Sequence, residues 1–189
     1  MRSVQSNMIQ VVKQFEPVET SMADIFNTTV FLAGGITNSW DWQTEVINIL
    51  DEIDKKEKQQ GVLRIYNPRE EYNVDNKVYT MEDRIKWDYE KMNNATIFSA
   101  YLTKEATQGA TLFEIGRYVT RMQMIYHSRE AWKHLCISIE DGYKHKEKLI
   151  SYLKMIIGEE NYDLVVEEDS SPKLHAARLY TLYVLHNRR

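Results

Sequence analysis

Two acidic side chains, Asp88 and Glu114, are of a type that could break or form a covalent bond, and each has a plain structural reading beside that one. Glu114 ends the run Thr107-Gln108-Gly109-Ala110-Thr111-Leu112-Phe113-Glu114, in which Thr111 is expected to open a helix. In the first turn of that helix the macrodipole favours a carboxylate by roughly 0.3–1 kcal/mol, which keeps it ionised and able to act as a nucleophile. The same spacing, Thr111-x-x-Glu114, is also a capping box, in which the carboxylate reaches back to the Thr111 amide and does no chemistry. Asp88, in Lys86-Trp87-Asp88-Tyr89-Glu90, is open to the same pair of readings: a working acid, or a solvated helix residue.

Two other stretches carry groups that a ligand would meet. Gly34-Gly35-Ile36-Thr37-Asn38-Ser39-Trp40-Asp41-Trp42-Gln43 follows an apolar run. Its glycines allow backbone to approach a ligand closely, and a helix amino terminus behind them suits an anionic or polar group. A tight turn accounts for the same residues, and no Gly-Lys-Ser/Thr follows to make a P-loop. Asn67-Pro68-Arg69 brings a guanidinium either to the ligand or to the surface. The five histidines have no metal-ligand spacing with one another or with Cys136, and no serine sits in a nucleophile elbow. No metal or cofactor is therefore expected. Cys136, between Leu135 and Ile137, reads as a small core thiol.

Positioning these groups falls to an alternation of strands and helices. Strands are expected at 29–33, 62–66, 95–102, 135–139 and 162–166. Between them lie a helix carrying Trp42, Val46, Ile49 and Leu50, with Ser39 as its N-cap, and another opened by Thr80 and Asp83. The latter is expected to turn Ile85, Tyr89 and Met92 to one face. A third helix carries Glu114, a fourth ends near Ile157, and a fifth spans 173–186. That order gives an α/β fold of flavodoxin/Rossmann-like type: a five-stranded parallel sheet with helices on both faces, binding its ligand beyond the carboxyl ends of the strands. Residues 1–24 read as an extension and 25–189 as one domain. Hydrophobic residues at 43% and charged residues at 28% permit a real core. A net charge of −4 argues against a general grip on nucleic acid. No apolar run approaches the ~20 residues of a membrane span. The opening MRSVQSNMIQ lacks the apolar core of a secretory signal, so a cytoplasmic location is expected.

Five motifs, in order and in spacing, resemble the nucleoside 2-deoxyribosyltransferase-like family: Phe31-Leu32-Ala33-Gly34-Gly35-Ile36, Asp41-Trp42-Gln43, Asn67-Pro68-Arg69, Ile85-Lys86-Trp87-Asp88 and Thr111-Leu112-Phe113-Glu114-Ile115-Gly116. The resemblance runs from about residue 30 to about residue 149. It implies an enzyme that cleaves or exchanges the N-glycosidic bond of a nucleoside or nucleoside monophosphate. Glu114 stands where the family has its nucleophile and Asp88 where an acid assists at the base. Phe31, Gly34, Gly35, Asp41 and Trp42 would contribute to substrate binding, as would Arg69, Trp87 and Gln108. A homodimer or higher homo-oligomer is implied as well. Two positions depart from the family's transferases. Phe31 stands where they have a tyrosine that orients the nucleophile. Gln108 stands where they have an aspartate for the sugar's 5′-hydroxyl and related nucleotide hydrolases have serine; being neutral, it does not repel a phosphate. The segment Asp141-Gly142-Tyr143-Lys144-His145-Lys146 falls where related chains carry a tyrosine and basic residues, which implies contact with ligand. Phe31 and Gln108 also fit a non-catalytic protein that binds a nucleotide-like ligand on the same scaffold, since fold does not guarantee chemistry.

Overall fold

The apolar run at 29–33 belongs to β2 (Thr28–Gly34), in which every residue from Thr28 to Ala33 is buried. Strands flank it on both sides and helices cover both faces, so neither side of the run meets water. The computed structural model describes residues 9–18, 27–57, 61–71, 78–105, 109–125 and 129–187. Before β2 comes β1 (Ile9–Gln14); after it come α1 (Trp42–Glu57), β3 (Leu63–Glu71), α2 (Met81–Asn94), β4 (Ile97–Leu102) and α3 (Gly109–Ile125). A 3-10 turn, Arg129–His134, leads to β5 (Leu135–Glu140), α4 (Lys146–Ile157), α5 (Glu159–Val165), β6 (Val166–Ser170) and α6 (Pro172–Asn187).

All the strand pairs are parallel and the order is β1-β3-β2-β4-β5-β6. The α/β, doubly wound character matches expectation, but the sheet has six strands rather than five. The sixth is β1, drawn from the segment read as an extension. Expectation also fails at the other side of the sheet. Residues 162–166, read as a strand, are mostly α5, where Tyr162 and Val165 are buried at helical spacing. The strand starts at Val166 and continues into Glu167, Glu168 and Asp169, whose polarity suits the outermost position in the sheet.

Alternation along the strands sorts the core in two. Phe31, Ala33, Phe98 and Ala100 face α2 and α3, where Trp87, Ile115, Tyr118 and Val119 pack on them. Val30, Leu32, Ile65 and Tyr101 face the opposite way, against Trp42, Val46 and Leu50 of α1 and Ala176, Leu179 and Tyr183 of α6. On that second face α6 also inserts His175, fully buried, with Ser99 Oγ 2.8 Å from Nε2 and Ser138 Oγ 2.8 Å from Nδ1. Cys136 Sγ lies 3.7 Å from the same Nδ1. Burial pushes the imidazole down to about 3 and the Cys136 thiol up to about 12, so both stay neutral at ordinary pH. No helix among the described residues is long and apolar enough to cross a membrane.

Candidate active site

Leaving β1 aside, the chain steps from β2 to β3 on one side and then crosses back from β3 to β4 on the other side of β2, so a crevice opens beyond the carboxyl end of β2. A cavity of about 1010 Å³ lies there. Phe31, Ala33 and Gly34 form its floor, and the loop after β2 and the end of β3 form one side. Helices α2 and α3 form the walls. On α2, Met81, Arg84, Ile85, Asp88, Tyr89 and Met92 line the cavity, a stripe repeating every three or four residues. A capping box sets the start of this helix, as expected: Asp83 N donates to Thr80 Oγ1 at 3.1 Å and Thr80 N donates to Asp83 Oδ2 at 2.9 Å. Ile85, Tyr89 and Met92 do share a face, but only Met92 is buried; Ile85 and Tyr89 are open at the cavity.

On α3, Ala110, Phe113, Glu114 and Arg117 line the opposite wall. This helix begins at Gly109, two residues earlier than expected, so Thr111 lies inside it and Glu114 beyond its first turn. The capping box therefore has no helix start to cap, and the macrodipole, which fades within one turn, does little for the carboxylate. Burial dominates instead and raises the Glu114 pKa above the usual carboxylate range, with the Arg117 guanidinium pulling it partly back. That guanidinium is itself fixed, donating to Asn93 Oδ1 at 2.8 Å and lying 4.0 Å over the Tyr89 ring. Asp88 is pushed up to about 7, first by burial and then by the Glu114 charge, while a hydrogen bond from Gln14 opposes the shift. Gln14 Nε2 donates to Asp88 Oδ1 at 3.2 Å. Two carboxyls from separate helices thus face one space, and the Glu114 charge acts on Asp88.

A family model described as nucleoside 2-deoxyribosyltransferase-like matches residues 27–131, more than half of the chain. The chain belongs to the nucleoside 2-deoxyribosyltransferase-like family. Among curated proteins none matches it. The family segment holds both carboxyls and most of the cavity, whereas β1 and everything beyond residue 131 fall outside it.

Within the family segment, the motif residues divide between cavity and scaffold. Phe31, 1% exposed, lines the cavity and packs on Phe98 and Trp87, with ring centroids 6.3 and 6.4 Å away. Trp87 does not line the cavity; it is buried on the core side of α2 against Phe31 and Tyr66. Gly34 and Gly35 line the cavity, yet packing alone demands the first glycine. A Cβ on Gly34 would stand 2.5 Å from Trp42 Cζ2 and 2.6 Å from the Tyr101 carbonyl oxygen. Trp42 lies under the sheet on the α1 face and supports the glycine loop from there, its Nε1 donating to Gly35 O at 3.3 Å.

Asp41 is also outside the cavity lining. It caps α1 in place of Ser39, accepting from Thr44 N at 3.1 Å and Thr44 Oγ1 at 2.8 Å. Ser39 Oγ instead meets Thr103 Oγ1 at 3.0 Å. Arg69 does line the cavity, but its guanidinium is committed to the loop: it donates to the carbonyls of Trp40, Ile36 and Ser39 at 3.0, 2.9 and 2.8 Å and lies 3.5 Å from Asp41 Oδ1. Gln108 lies outside the described residues. The basic turn at 144–146 does not line the cavity, and Lys146 instead bonds Asp169 at 2.5 Å and pairs with Glu168 at 3.4 Å. Four cavity residues escaped the sequence reading: Gln14, Met81, Arg84 and Arg117. Arg117 had a signal, one turn after Glu114 on the same face. Gln14 had none, because only the sheet brings β1 to α2.

Proposed function

We propose that the protein is an enzyme that breaks the N-glycosidic bond of a nucleoside, deoxynucleoside or nucleoside monophosphate and passes the sugar to water or to a second base. The observation that carries this reading is the convergence of Asp88 and Glu114 on one cavity at the crossover of the sheet. A Glu114 carboxylate oxygen attacks the anomeric carbon. As that bond forms, the C–N bond breaks, its electron pair goes to the base nitrogen, and Asp88 donates the proton the base takes up. Water or an acceptor base then attacks the same carbon, the ester bond returns its electrons to Glu114, and Asp88 recovers a proton from the incoming group. Two displacements at one carbon retain its configuration.

The electrostatics suit these roles. The chemistry requires Glu114 ionised and Asp88 protonated. Asp88, at about 7, still holds its proton in weakly acid solution, and Arg117 offsets part of the upward shift of Glu114. Activity therefore peaks below pH 7 and falls on the alkaline side as Asp88 loses its proton; the two limbs describe the coupled pair rather than either acid alone. Met81, Ile85, Tyr89 and Phe113 supply an apolar and aromatic wall of the kind a nucleobase packs against.

Incubating the protein with a panel of nucleosides, deoxynucleosides and their monophosphates and assaying free base tests this reading. Release is expected, and Glu114→Gln is expected to lower it at least about a thousandfold. Unchanged release in that variant removes Glu114 as nucleophile. Tight binding of panel members without release favours a sequestering protein on this scaffold.

A further inference from the structure

Gln14 is the last residue of β1 and lies well before the family segment, yet it is 3% exposed and lines the cavity. The sheet register explains how it gets there. Ile9 to Lys13 pair in step with Leu63 to Asn67, and then the ladder shifts, so that Gln14 comes opposite Glu71. An irregularity of this kind re-aims the side chain that follows it. The chain then turns through Phe15 at φ 67°, a left-handed conformation uncommon for a bulky residue. Its ring stacks on Tyr79 with centroids 3.6 Å apart and tilts against Trp87 at 6.5 Å. Tyr79 leads into α2 and Trp87 precedes Asp88, so neighbouring residues of one strand end hold both the helix and its carboxyl.

We propose that Gln14 is a positioning residue of the active site, its side-chain amide fixing Asp88 in place and setting how firmly that carboxyl holds its proton. The inference rests on the glycosidic reading above, in which Asp88 gives and recovers a proton. The amide nitrogen can only donate, and an ionised carboxylate can only accept, so the contact favours the ionised form. It thereby opposes burial and the Glu114 charge, both of which favour the neutral form. Among the described residues, the other charged groups lining the cavity are Arg84 on the same helix, Arg117 on α3 and Arg69 on β3, and β2 lines it with the untitratable Phe31, Ala33 and Gly34. Because the amide does not itself ionise, any change in its hold on Asp88 with pH follows the protonation of Asp88 alone. Without it, the acid would keep its proton too tightly to deliver it to a departing base, and the carboxyl would lose its anchor opposite Glu114.

The test is the titration of Asp88 by carboxyl carbon NMR in the full chain labelled at aspartate, with Asp88→Asn identifying the signal. It needs no substrate. Gln14→Met preserves length and removes the donor; the Asp88 midpoint is expected to rise by about one pH unit. The alkaline limb of base release should rise with it, while kcat falls roughly tenfold and KM stays within about twofold. Gln14→Glu keeps the shape but places a third carboxyl beside the pair, and is expected to raise the midpoint further. A midpoint unmoved in whichever of these variants is folded, by its near-ultraviolet circular dichroism, overturns the proposal. A midpoint that moves, in a protein that releases no base from any panel member, supports the hold of Gln14 on Asp88 and defeats the glycosidic reading instead.

Discussion

On the α1–α6 face of the sheet, His175 has a hydroxyl on each ring nitrogen at 2.8 Å, and Trp42 and Tyr101 stand edge-on to it at 6.0 and 5.4 Å. On the α2–α3 face, Asp88 has a single amide at 3.2 Å, Glu114 feels one guanidinium, and both look into a cavity. Each of these groups has lost water, and each has a pKa displaced against its charged form. The results differ because desolvation moves a base down from its ordinary value and an acid up, with the Arg178 charge adding to the first and the Glu114 charge to the second. A neutral imidazole with both nitrogens satisfied has nothing left to offer and is carried to about 3, far from any working pH. Burial first, and the Glu114 charge second, bring Asp88 to about 7, where a proton moves at little cost. Desolvation alone does not mark a working group; on the proposed reading, desolvation beside a cavity does.

The sharpest way to break this contrast is on the satisfied face. His175→Ala leaves the Ser99 and Ser138 hydroxyls without their shared partner and opens a void beside Trp42 and Tyr101. Urea unfolding should show a loss of about 3–4 kcal/mol, with base release per folded molecule unchanged. A loss of activity larger than the loss of folded protein would contradict the division between the faces.

Asp88→Asn should act in the opposite sense. The Asp88 pKa is raised on folding, so its contribution to stability is complete below the usual carboxylate range and is lost as pH rises through about 7. The asparagine variant should therefore match the native protein near pH 4 and exceed it by about 2 kcal/mol at pH 8, while losing base release. Equal stability at both pH values would show that the acid is not strained. The smallest effect is expected at the basic turn. Lys146 pairs with Glu168 and Asp169 near the surface and does not line the cavity. Lys146→Ala should cost less than about 0.5 kcal/mol and leave the KM for every substrate unchanged, whereas a raised KM would bring the turn back to the ligand.

How far the sequence revealed this arrangement depended on how local each signal was. The buried run of β2, the capping box of Thr80 and Asp83, and the stripe on α2 are all set within a few residues, and the fold reproduces them. Polar character hid the outer strands. The buried positions of β1 are only Val12 and Gln14, and β6 is largely acidic, because an outermost strand buries little. Type and spacing left each of the two acids open to a plain structural reading, the resemblance to the family singled them out, and their environment was not legible by either route. The start of α3 lies two residues from where Thr111 suggested, which takes Glu114 out of the first turn, and its burial was not visible in the sequence. Of the motif residues, Asp41 and Trp42 lie outside the cavity lining while Arg69 both braces the loop and lines the cavity; a residue that braces a loop and one that touches what the loop surrounds leave the same trace in sequence. Gln14 shows the limit most plainly, as its importance comes wholly from parallel pairing with a strand far along the chain.

That pairing has a second consequence, for the solubility of shortened versions of the protein. β1 occupies the open flank of β3, where Leu63 and Ile65 are fully buried. Cutting the chain at residue 27, where the family segment starts, would uncover a row of unpaired amide and carbonyl groups along apolar backbone. Such a ribbon is a template for other chains, and the fragment would recruit its own copies into aggregates.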